Sequence, residues 1–531
     1  MRKLLGTCLL LCLVLSAKAQ DLVSGGVLKP EQANMDIRHY LIDLKVDPNA
    51  QTLTGYVTVT LVLKSAAPVI LLDLSRLMKV STITVDRKAA DFVQENDMIR
   101  ISGKNDFSAG RHSIKISYGG SPVVAKRPPW DGGIQWEKDS TGNPWIALSC
   151  EGEGGKIYFP CKDHPSDEPD EGAEMRITVP KGLVVAGPGL LKKVTHSRNN
   201  STYDWKTMYP ISNYCLLFNV GKYVVVKRDY VTINKNHVPM EFYVLEEHKS
   251  KAQHHLDLLE RSAQVLEKYF GEYPWVKEKI GIAETPHLGM EHQTMNAYGN
   301  KFNYTKIGGK DFDWLMHHEF GHEWWANKIT NRDWADMWIQ EGFCAYGDAL
   351  YTRELEGEEA YRKRMMRTGL SAQNKVPIVQ GESGIDAGKA YHGDIYGKAA
   401  FFVHSLRYFM GDSIFFPTLK KFASDSSICC YNTVTTTMVD EYFSAACGQK
   451  LTPLFDLYLR STNKLEISVR QLINDEYMVK TTNLSMALPI EIQTDKGISR
   501  VVIDGKGSKI KSATMPVIDP QMFYLKKVSI E

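Results

Sequence analysis

The sequence is poor in the features that mark highly charged, repetitive or membrane-spanning proteins. Lys and Arg total 64 and Asp and Glu total 62, so the formal net charge is only +2. There is no basic arm, and nucleic acid is therefore not indicated as a partner. We find no short-period repeat and no low-complexity stretch, which argues against a repeat architecture. The 531 residues suggest about three domains, and 43% of them are hydrophobic, as in a multidomain soluble protein.

Cysteine is also scarce, with nine residues in the whole chain. Two of them, Cys8 and Cys12, lie in the apolar stretch at the start, and the other seven are an odd number, so at least one is unpaired. A chain this long has ample core and needs no disulfide scaffold. Cys430 and Cys447 are close enough in sequence for a local bridge, and free buried thiols are the alternative.

The apolar run at the start of the chain is too short to cross a membrane. Met1–Lys3 is basic, Leu4–Leu15 is apolar, and Ala17-Lys18-Ala19 matches a small-x-small cleavage pattern. A span needs about 20 apolar residues, and no later segment supplies them. We therefore predict a signal peptide over 1–19, cleavage after Ala19, and a secreted or periplasmic protein without a membrane span.

The most informative pattern is His318-Glu319-Phe320-Gly321-His322, followed by Glu341 after 18 intervening residues. On an α-helix, His318 and His322 lie one turn apart on one face, so both imidazoles can reach one metal ion. Glu319 points beside that ion, where a general base for an activated water belongs. Glu341 would supply the third ligand from a second helix. Three protein ligands and one open position are typical of a catalytic zinc site, and a pair of hydrogen-bonded core histidines is the alternative.

The segment 336–346, which contains Glu341, has the wide apolar face of a buried helix. Asp348 lies two turns after Glu341 on the same face. There it can accept a hydrogen bond from a ligating histidine and fix its tautomer, and an ordinary solvated aspartate is the alternative. His317 lies about 100° around the helix from His318. We therefore interpret it as a structural residue or as one that contacts the ligands without binding the metal itself.

The segment His318–Tyr346 resembles peptidase family M1, a gluzincin group of zinc aminopeptidases. Members pair H-E-x-x-H with a glutamate that follows after 18 residues in a W-x-x-E-G-F-like context, and Trp338–Phe343 matches that context. The resemblance implies that His318, His322 and Glu341 bind one zinc ion per chain.

A second hallmark of the family is a G-x-M-E-N strand just upstream of the zinc motif. This chain has Leu288-Gly289-Met290-Glu291-His292 there, so Met290 and Glu291 match, while Leu288 and His292 replace the usual Gly and Asn. The resemblance implies that Glu291 binds the free α-amine of the substrate and that Gly289 and Met290 line the same pocket.

Two further segments extend the resemblance. The segment Ser149–Pro165 ends in an F-P-C-x-D-x-P-like run, and the family places a Gln or Glu ten residues before its cysteine, which is Glu151 here. The resemblance implies that Glu151 helps to grip the substrate amine, whereas Glu153 is out of register and is interpreted as a loop acid. The segment Ile395–Ala400 resembles Y-x-K-G, and this register implies that Tyr396 donates a hydrogen bond to the oxyanion at the scissile carbonyl.

The resemblance implies a zinc-dependent aminopeptidase that removes N-terminal residues from peptides with a free N-terminus. Glu319 would accept the proton of the attacking water and pass it to the leaving amine. Glu151 and Glu291 would clamp the protonated N-terminus, so that only the first peptide bond reaches the zinc ion. A zinc endopeptidase of the same clan and a catalytically inactive zinc-binding interaction protein are the alternatives.

The resemblance covers nearly the whole chain after residue 19 and implies a multidomain α+β fold. We expect an N-terminal β-sheet domain over 20–228, a thermolysin-like, mainly helical zinc catalytic domain over 229–466, and a small C-terminal β-sandwich domain over 467–531. Larger members add a C-terminal helical domain that caps the active site. We expect no such domain after residue 531 and therefore a more open site.

Periodicity places individual elements in these three zones. Predicted helices span His254–Tyr269, Phe312–Asn327, Trp338–Arg353, Glu358–Leu370, Lys398–Met410 and Leu451–Ser461. Predicted strands include Thr54–Leu63, Ile114–Tyr118, Tyr223–Lys227, Leu488–Ile492 and Arg500–Ile503. The family resemblance implies an opening strand that includes Leu41–Val46 and a last strand within Asp519–Lys527.

Overall fold

A computed structural model describes residues 22–429 and 433–531 of the chain. The predicted signal peptide and Cys430 lie outside these residues, so the structure does not bear on either. Within the described ranges Cys150, Cys161, Cys215 and Cys344 are buried free thiols.

An eight-stranded sheet is the largest element of the N-terminal region. In spatial order its strands are Leu190–His196, Asn200–Thr207, Ala173–Pro180, Met35–Asp47, Thr52–Leu63, Gly110–Gly120, Met78–Val85 and Lys88–Ala89. Met35–Asp47 pairs with Ala173–Pro180 in parallel, and the other neighbouring pairs are antiparallel. Every second residue from Val57 to Leu63 is at most 2% exposed. Burying each such side chain contributes about 1.5–3 kcal/mol, so the alternation seen in the sequence holds this sheet against the core.

Two smaller sheets complete this region. One contains Val184–Ala186, Asn219–Gly221, Pro144–Ser149 and Gly133–Lys138, and the other contains Ala67–Asp73, Met98–Phe107 and Asp91–Glu95. The strand Pro144–Ser149 ends directly before the loop that carries Glu151, so this sheet sets the position of that acid.

A five-stranded sheet forms one side of the middle region. Its strands in spatial order are Tyr223–Val231, His237–Leu245, Ile280–Glu284, Asn296–Tyr298 and Gly289–Met290. A hairpin of Thr305–Ile307 and Lys310–Phe312 follows. Gly289–Met290 is the edge strand and runs antiparallel to Asn296–Tyr298. The G-M-E segment therefore lies at the sheet edge.

Helices make up the rest of the middle region. They span Lys249–Phe270, Trp314–Gly321, Trp338–Ser371, Ala387–Ala390, Gly397–Met410, Asp412–Ser424, Ser426–Cys429, Thr436–Cys447 and Thr452–Tyr458, and a short helix spans Pro30–Ala33 in the N-terminal region. Single 3₁₀ turns span Gly155–Ile157, Asn213–Cys215, Glu246–His248, Trp334–Asp336 and Gly393–Ile395. Within the described ranges, none of these helices combines the length and apolar character that crossing a bilayer requires.

Two sheets form the C-terminal region. One contains Ser508–Lys511, Glu476–Thr481, Leu465–Gln471 and Lys526–Ile530, and the other contains Gly497–Ile503, Leu488–Thr494 and Val517–Ile518. The predicted multidomain α+β class is confirmed, with a β-rich start, a helical middle and a β-rich end. The domain boundaries at 228 and 466 stay predictions, and the strands Tyr223–Val231 and Leu465–Gln471 run across them.

Two helices carry the candidate metal ligands. We call Trp314–Gly321 the motif helix and Trp338–Ser371 the long helix. The long helix is kinked at Gly357, whose φ is 85°, which explains why periodicity predicts two separate helices there. The ring of Trp325 stacks on Phe343 of the long helix with centroids 4.3 Å apart and planes 13° apart. This contact ties the chain after the motif helix to the turn that carries Glu341.

The prediction of a motif helix over Phe312–Asn327 is wrong at its C-terminal end. The helix ends at Gly321 and His322 is its C-cap. The backbone then turns, and Ala326 has a φ of 136°, outside any helical conformation. Trp324 and Trp325 are fully buried, and their indoles pack against other elements. Packing therefore overrides the helical periodicity of this segment.

The predicted last strand also differs. Asp519 and Met522 have positive φ values of 50° and 57°, and the Asp519 carboxylate accepts hydrogen bonds from the backbone N–H groups of Phe523 and Tyr524. This side-chain capping makes a turn, so the last strand begins at Lys526.

Candidate metal centre and active-site cleft

The motif helix begins at a residue that also ties it to the five-stranded sheet. Asp313 is the N-cap, and its carboxylate accepts a hydrogen bond from Met316 N at 3.1 Å. The same carboxylate accepts from the Tyr298 hydroxyl at 2.6 Å and from Asn300 Nδ2 at 3.0 Å. Because Tyr298 ends a sheet strand, the helix is held in one register against the sheet edge that carries Glu291.

The three predicted ligands converge on one point. We call His318, His322 and Glu341 the metal cluster. The Nε2 atoms of His318 and His322 lie 3.5 Å and 3.4 Å from the same oxygen, Glu341 Oε2, and the ring centroids are 4.8 Å apart. That oxygen is buried and has no hydrogen-bond partner among the described residues. A buried carboxylate oxygen that faces two ring nitrogens without a hydrogen bond is the arrangement that a shared cation satisfies.

The far side of each imidazole is held by an acceptor. His318 Nδ1 lies 3.1 Å from Asp348 Oδ2, and His322 Nδ1 lies 2.7 Å from the backbone oxygen of Trp325. Both acceptors hold the Nδ1 edge of the ring, so each Nε2 faces Glu341 and is the atom that would bind a metal ion. Asp348 thus has the position that the helical spacing indicates, while the Trp325 carbonyl depends on the turn after the motif helix.

Cys344 offers a fourth donor atom near the cluster. One ring nitrogen of each histidine and the Cys344 Sγ lie within 4.8 Å of one another. The thiol donates to the backbone oxygen of His318 at 2.9 Å, and its contact with that imidazole is to Nδ1 at 3.8 Å. Nδ1 is the edge that faces away from Glu341. We therefore assign Glu341, and not Cys344, as the third ligand.

The set of two imidazoles and one carboxylate fits a catalytic zinc ion. Zinc in such sites takes three protein ligands from His and Glu and leaves a fourth position open. The charges agree, because burial alone would raise the pKa of Glu341, but the two imidazoles outweigh that effect and lower the pKa to about 2. Glu341 is therefore an anion at neutral pH, ready to bind a cation.

Glu319 lies beside the metal cluster and against the edge strand. Burial raises the pKa of Glu319 to about 8, against the lowering effect of His318 and His322. A Cβ at Gly289 would lie 2.7 Å from Glu319 Oε1. Only glycine therefore lets the edge strand approach this carboxylate so closely. Gly289 has a packing role that the resemblance did not specify.

A second group of acids lies next to the metal cluster, and we call Glu151 and Glu291 the acid pair. Glu291 is 4% exposed and accepts a hydrogen bond from the Tyr214 hydroxyl at 2.9 Å. One carboxylate oxygen each of Glu291 and Glu319 and one ring nitrogen of His322 lie within 4.8 Å of one another. The two groups of side chains therefore share one cavity wall.

Glu151 is only partly buried, but its Oε1 is shielded and has no hydrogen-bond partner within the described ranges. Burial raises the pKa of Glu291 and raises that of Glu151 well above its ordinary value, and the charge of Glu291 raises the pKa of Glu151 further. The charge of His322 lowers both pKa values but does not outweigh burial. The acid pair therefore forms a polar pocket suited to an external cation.

The loop that carries Glu151 is fixed by a glycine and an aspartate. Gly154 has a φ of 83°, and a Cβ there would lie 2.0 Å from Asp163 Oδ1. The Gly154 N–H closes the loop by donating to the Cys150 carbonyl at 2.6 Å. Glu153, in the same loop, accepts from the backbone of Gly132 at 2.8 Å. It is thus occupied by a structural hydrogen bond, as expected of a loop acid.

Tyr396 lies at the start of the helix Gly397–Met410 and lines the same cavity. Its ring centroid is 6.2 Å from that of His318, and its hydroxyl lies 3.0 Å from the hydroxyl of Tyr391. Burial raises its pKa well above the ordinary value, so the hydroxyl keeps its proton at neutral pH and can donate it in a hydrogen bond.

All ten predicted site residues except Asp348 line one cleft of about 940 Å³. The residues are His318, His322, Glu341, Glu319, Tyr396, Glu291, Glu151, Met290, Gly289 and Asp348. The last of these lies behind His318. His292, which replaces the usual Asn of the G-x-M-E-N strand, is fully buried. It is absent from the cleft wall.

Sequence reasoning missed several residues of the cleft. Tyr214 holds Glu291, Tyr391 contacts Tyr396, and Leu22 and Val23 line the wall. Each of these lies far along the chain from the motifs or has no motif of its own. No signal in a single sequence could have identified Tyr214 or the two apolar residues.

Comparison with known proteins agrees with this geometry. The model of the peptidase family M1 domain matches residues 254–458, and that of the peptidase M1 N-terminal domain matches residues 37–215. The two matches take in both the loop of Glu151 and the metal cluster. The chain belongs to peptidase family M1.

Individual relatives are distant. The chain is 24% identical over 292 residues to aminopeptidase N of Caulobacter vibrioides, a match that covers 51% of this chain and 33% of that protein. It is 23% identical over 440 residues to aminopeptidase B of Mus musculus, which covers 75% and 63%. The chain thus spans about a third to three fifths of the length of these curated relatives.

A solved structure has a similar fold. An M1 zinc metallopeptidase from Deinococcus radiodurans superposes with a TM-score of 0.68 at 23% identity, covering 83% of this chain and 96% of that one. The likeness confirms the fold, a β-rich N-terminal region followed by a helical middle region.

Proposed function

We propose that this chain is a zinc-dependent aminopeptidase that removes the first residue of peptides with a free N-terminus. The observation that carries the proposal is the position of the acid pair. Glu291 lies within 4.8 Å of both Glu319 and His322, so a bound ammonium group would lie about one peptide unit from the metal cluster. Relatives named aminopeptidase N and aminopeptidase B support this choice of reaction.

The residues that line the cleft have different roles in the proposed reaction. When bound to the metal cluster, a zinc ion supplies a Lewis acid that polarises the scissile carbonyl and makes water a nucleophile at neutral pH. Glu319 accepts the proton of the attacking water and delivers it to the leaving amine. Burial raises the pKa of Glu319 and the nearby imidazoles lower it, and the positive charge of a bound zinc ion would lower it further, so that the carboxylate can act as the base.

The remaining groups orient the substrate. The Tyr396 hydroxyl donates a hydrogen bond to the oxygen that becomes negative during attack. Glu151 and Glu291 accept hydrogen bonds from the ammonium group of the substrate, and the pairing of opposite charges in a buried pocket is what makes the binding strong. Because the amine is held at one end, only the first carbonyl reaches the zinc site.

A substrate panel tests this proposal. Aminoacyl-chromophore substrates with a free amine should be cleaved, and the same substrates with an acetylated amine should not. A chelator should abolish the activity, and zinc should restore it. Cleavage of internal bonds in N-blocked peptides would make the protein an endopeptidase. Failure to cleave any of these substrates with zinc bound would favour a binding protein.

We also propose that the protein is exported and processed after Ala19, which would make it secreted or periplasmic. The support is the order of basic, apolar and small residues in 1–19. N-terminal sequencing of the chain expressed with this segment in an exporting host tests it, with Gln20 as the expected first residue. Retention of residues 1–19 in the mature protein would refute it.

A further inference from the structure

A short extended segment, which we call the strap (Leu22–Gly26), joins two parts of the cleft. On one side, Ser24 N donates to the Gly152 carbonyl at 2.8 Å. On the other side, the Ser24 carbonyl accepts from Ala387 N at 3.0 Å, and Gly26 N donates to the Ile385 carbonyl at 3.1 Å. The strap therefore connects the loop of Glu151 with the segment that leads to Tyr391 and Tyr396.

Buried polar contacts hold the strap in place. Ser24 is 3% exposed, and its hydroxyl donates to Asp163 Oδ1 at 2.9 Å. The Val23 carbonyl accepts from Lys156 Nζ at 2.7 Å, and that ammonium group also pairs with Asp163 at 2.9 Å. Hydrogen bonds to charged groups are stronger than those between neutral groups. These contacts therefore fix the strap as part of the cleft wall.

Gly25 fixes the path of the strap. Its φ is 78°, and a Cβ there would lie 2.3 Å from Cδ1 of Trp334. Trp334 is 2% exposed and cannot give way. The backbone around Gly25 is therefore restricted to one conformation, and this conformation sets the directions of the Leu22 and Val23 side chains.

Leu22 and Val23 line the cleft. Val23 also packs near Gly388, since a Cβ on that glycine would lie 3.6 Å from Val23 Cγ1. Val23 is next to Ser24, which binds Gly152, and Gly152 is next to Glu151. Val23 is thus connected, through Ser24 and Gly152, to Glu151, the acid that holds the amine of the substrate.

We propose that the strap forms a wall of the pocket for the side chain of the first substrate residue, and that Leu22 and Val23 make this pocket apolar and limit its size. The inference rests on the proposed aminopeptidase function. The amine and the side chain of the first residue share one Cα, so a substrate whose amine is held by Glu151 must place its side chain beside the residues that adjoin Glu151. Apolar walls there favour apolar side chains, since the removal of apolar surface from water is favourable.

The test compares Val23→Ala with Val23→Leu on free-amine aminoacyl substrates of increasing size, from alanyl to leucyl, phenylalanyl and tryptophanyl. The readout is the ratio of kcat/KM for the phenylalanyl and alanyl substrates. Val23→Ala should raise that ratio about tenfold or more, the effect of one or two methylenes in a pocket, and Val23→Leu should lower it. Shifts of opposite sign cannot arise from instability alone.

Val27→Ala is the matched control, because Val27 follows the strap, is 79% exposed and does not line the cleft. It should leave the ratio unchanged. A flat ratio in both Val23 variants, with the parent chain active, would overturn the role of the strap and leave the aminopeptidase proposal intact. A zinc-loaded parent that cleaves no free-amine substrate would overturn both proposals.

Discussion

The metal cluster and the acid pair each bury carboxylates in the same cleft, but their electrostatic surroundings are opposite. In the metal cluster, two imidazoles lower the pKa of Glu341 to about 2. In the acid pair, burial raises the pKa of Glu291, and that of Glu151 rises further because the charge of Glu291 is nearby. Tyr214 is the one side-chain donor that contacts Glu291 in the described part of the chain.

This difference separates two roles for the same kind of residue. Glu341 is compensated before any substrate arrives, so it is ready to bind a resident metal ion. The acid pair is only partly compensated, by the charge of His322 and by the Tyr214 hydroxyl on Glu291, and its ionised form becomes more favourable when an external cation enters. The α-ammonium group of a peptide is the cation that the proposed reaction provides. A metal ligand and a substrate clamp can therefore be distinguished by their neighbours alone.

The largest expected effect concerns Glu319, which lies between the two groups. Glu319→Gln keeps the size of the side chain but removes the base, so kcat should fall about 10²–10⁴-fold. Metal content should stay at one zinc per chain, because Glu319 is not a ligand. Mass spectrometry of the native protein and steady-state kinetics check both outcomes. Normal turnover in this variant would mean that the base is another residue.

Replacing one acid of the pair should mainly affect substrate binding. Glu291→Gln removes a buried charge-assisted contact worth about 1.5–3 kcal/mol, so kcat/KM for free-amine substrates should fall about 10–100-fold. Zinc affinity should be unchanged. Glu153→Gln is the matched control, since Glu153 lines the cleft but is occupied by Gly132 N. Equal losses in both variants would contradict a specific role for Glu291.

A residue behind the metal cluster should affect the metal and not the substrate. Asp348→Asn weakens the acceptor that holds His318 Nδ1, so zinc affinity should fall about 10–100-fold. At saturating zinc the KM for substrate should stay close to that of the parent. Competition with a chelator of known affinity measures the first quantity. Asp456→Asn, at an exposed position, is the control, and an equal loss there would rule out the hydrogen bond as the cause.

The smallest expected effect is a gain in stability from removing an acid whose burial is only partly compensated. The pKa of Glu151 is raised in the folded chain, so the folded state binds the proton more tightly than the unfolded state does, and stability is lost as pH rises above about 4.5. Glu151→Gln removes this loss and should raise the free energy of unfolding by about 0.5–2 kcal/mol at neutral pH.

The gain should grow between pH 5 and pH 8, which denaturant titrations at both values can measure. Glu359→Gln is the control, because Glu359 is exposed and its pKa is lowered by Lys363. It should show no gain. A Glu151→Gln variant that is less stable than the parent at pH 8 would mean that Glu151 is compensated after all.

Local patterns predicted the parts of the site that one helical turn or one short strand places together. The spacing of His318 and His322 and the later Glu341 predicted the metal cluster, and helical spacing also indicated Asp348. The roles of Glu291, Glu151 and Tyr396 were implied by the family resemblance and not by spacing. The end of the motif helix was predicted six residues too late, because the buried indoles of Trp324 and Trp325, not the local periodicity, decide where it stops.

By itself the sequence determined the family and the α+β class and predicted the donor set of the metal cluster, because these depend on residue types at regular spacings. The acids of the cleft were predicted from the family resemblance. Only the tertiary structure decided which groups compensate those acids. It placed Tyr214 on Glu291, the Trp325 carbonyl on His322 and the strap on the loop of Glu151. These contacts join residues that are distant in sequence or that lie on an irregular turn, where no periodic rule applies. The burial and the charged neighbours of these side chains therefore follow only from the folded structure.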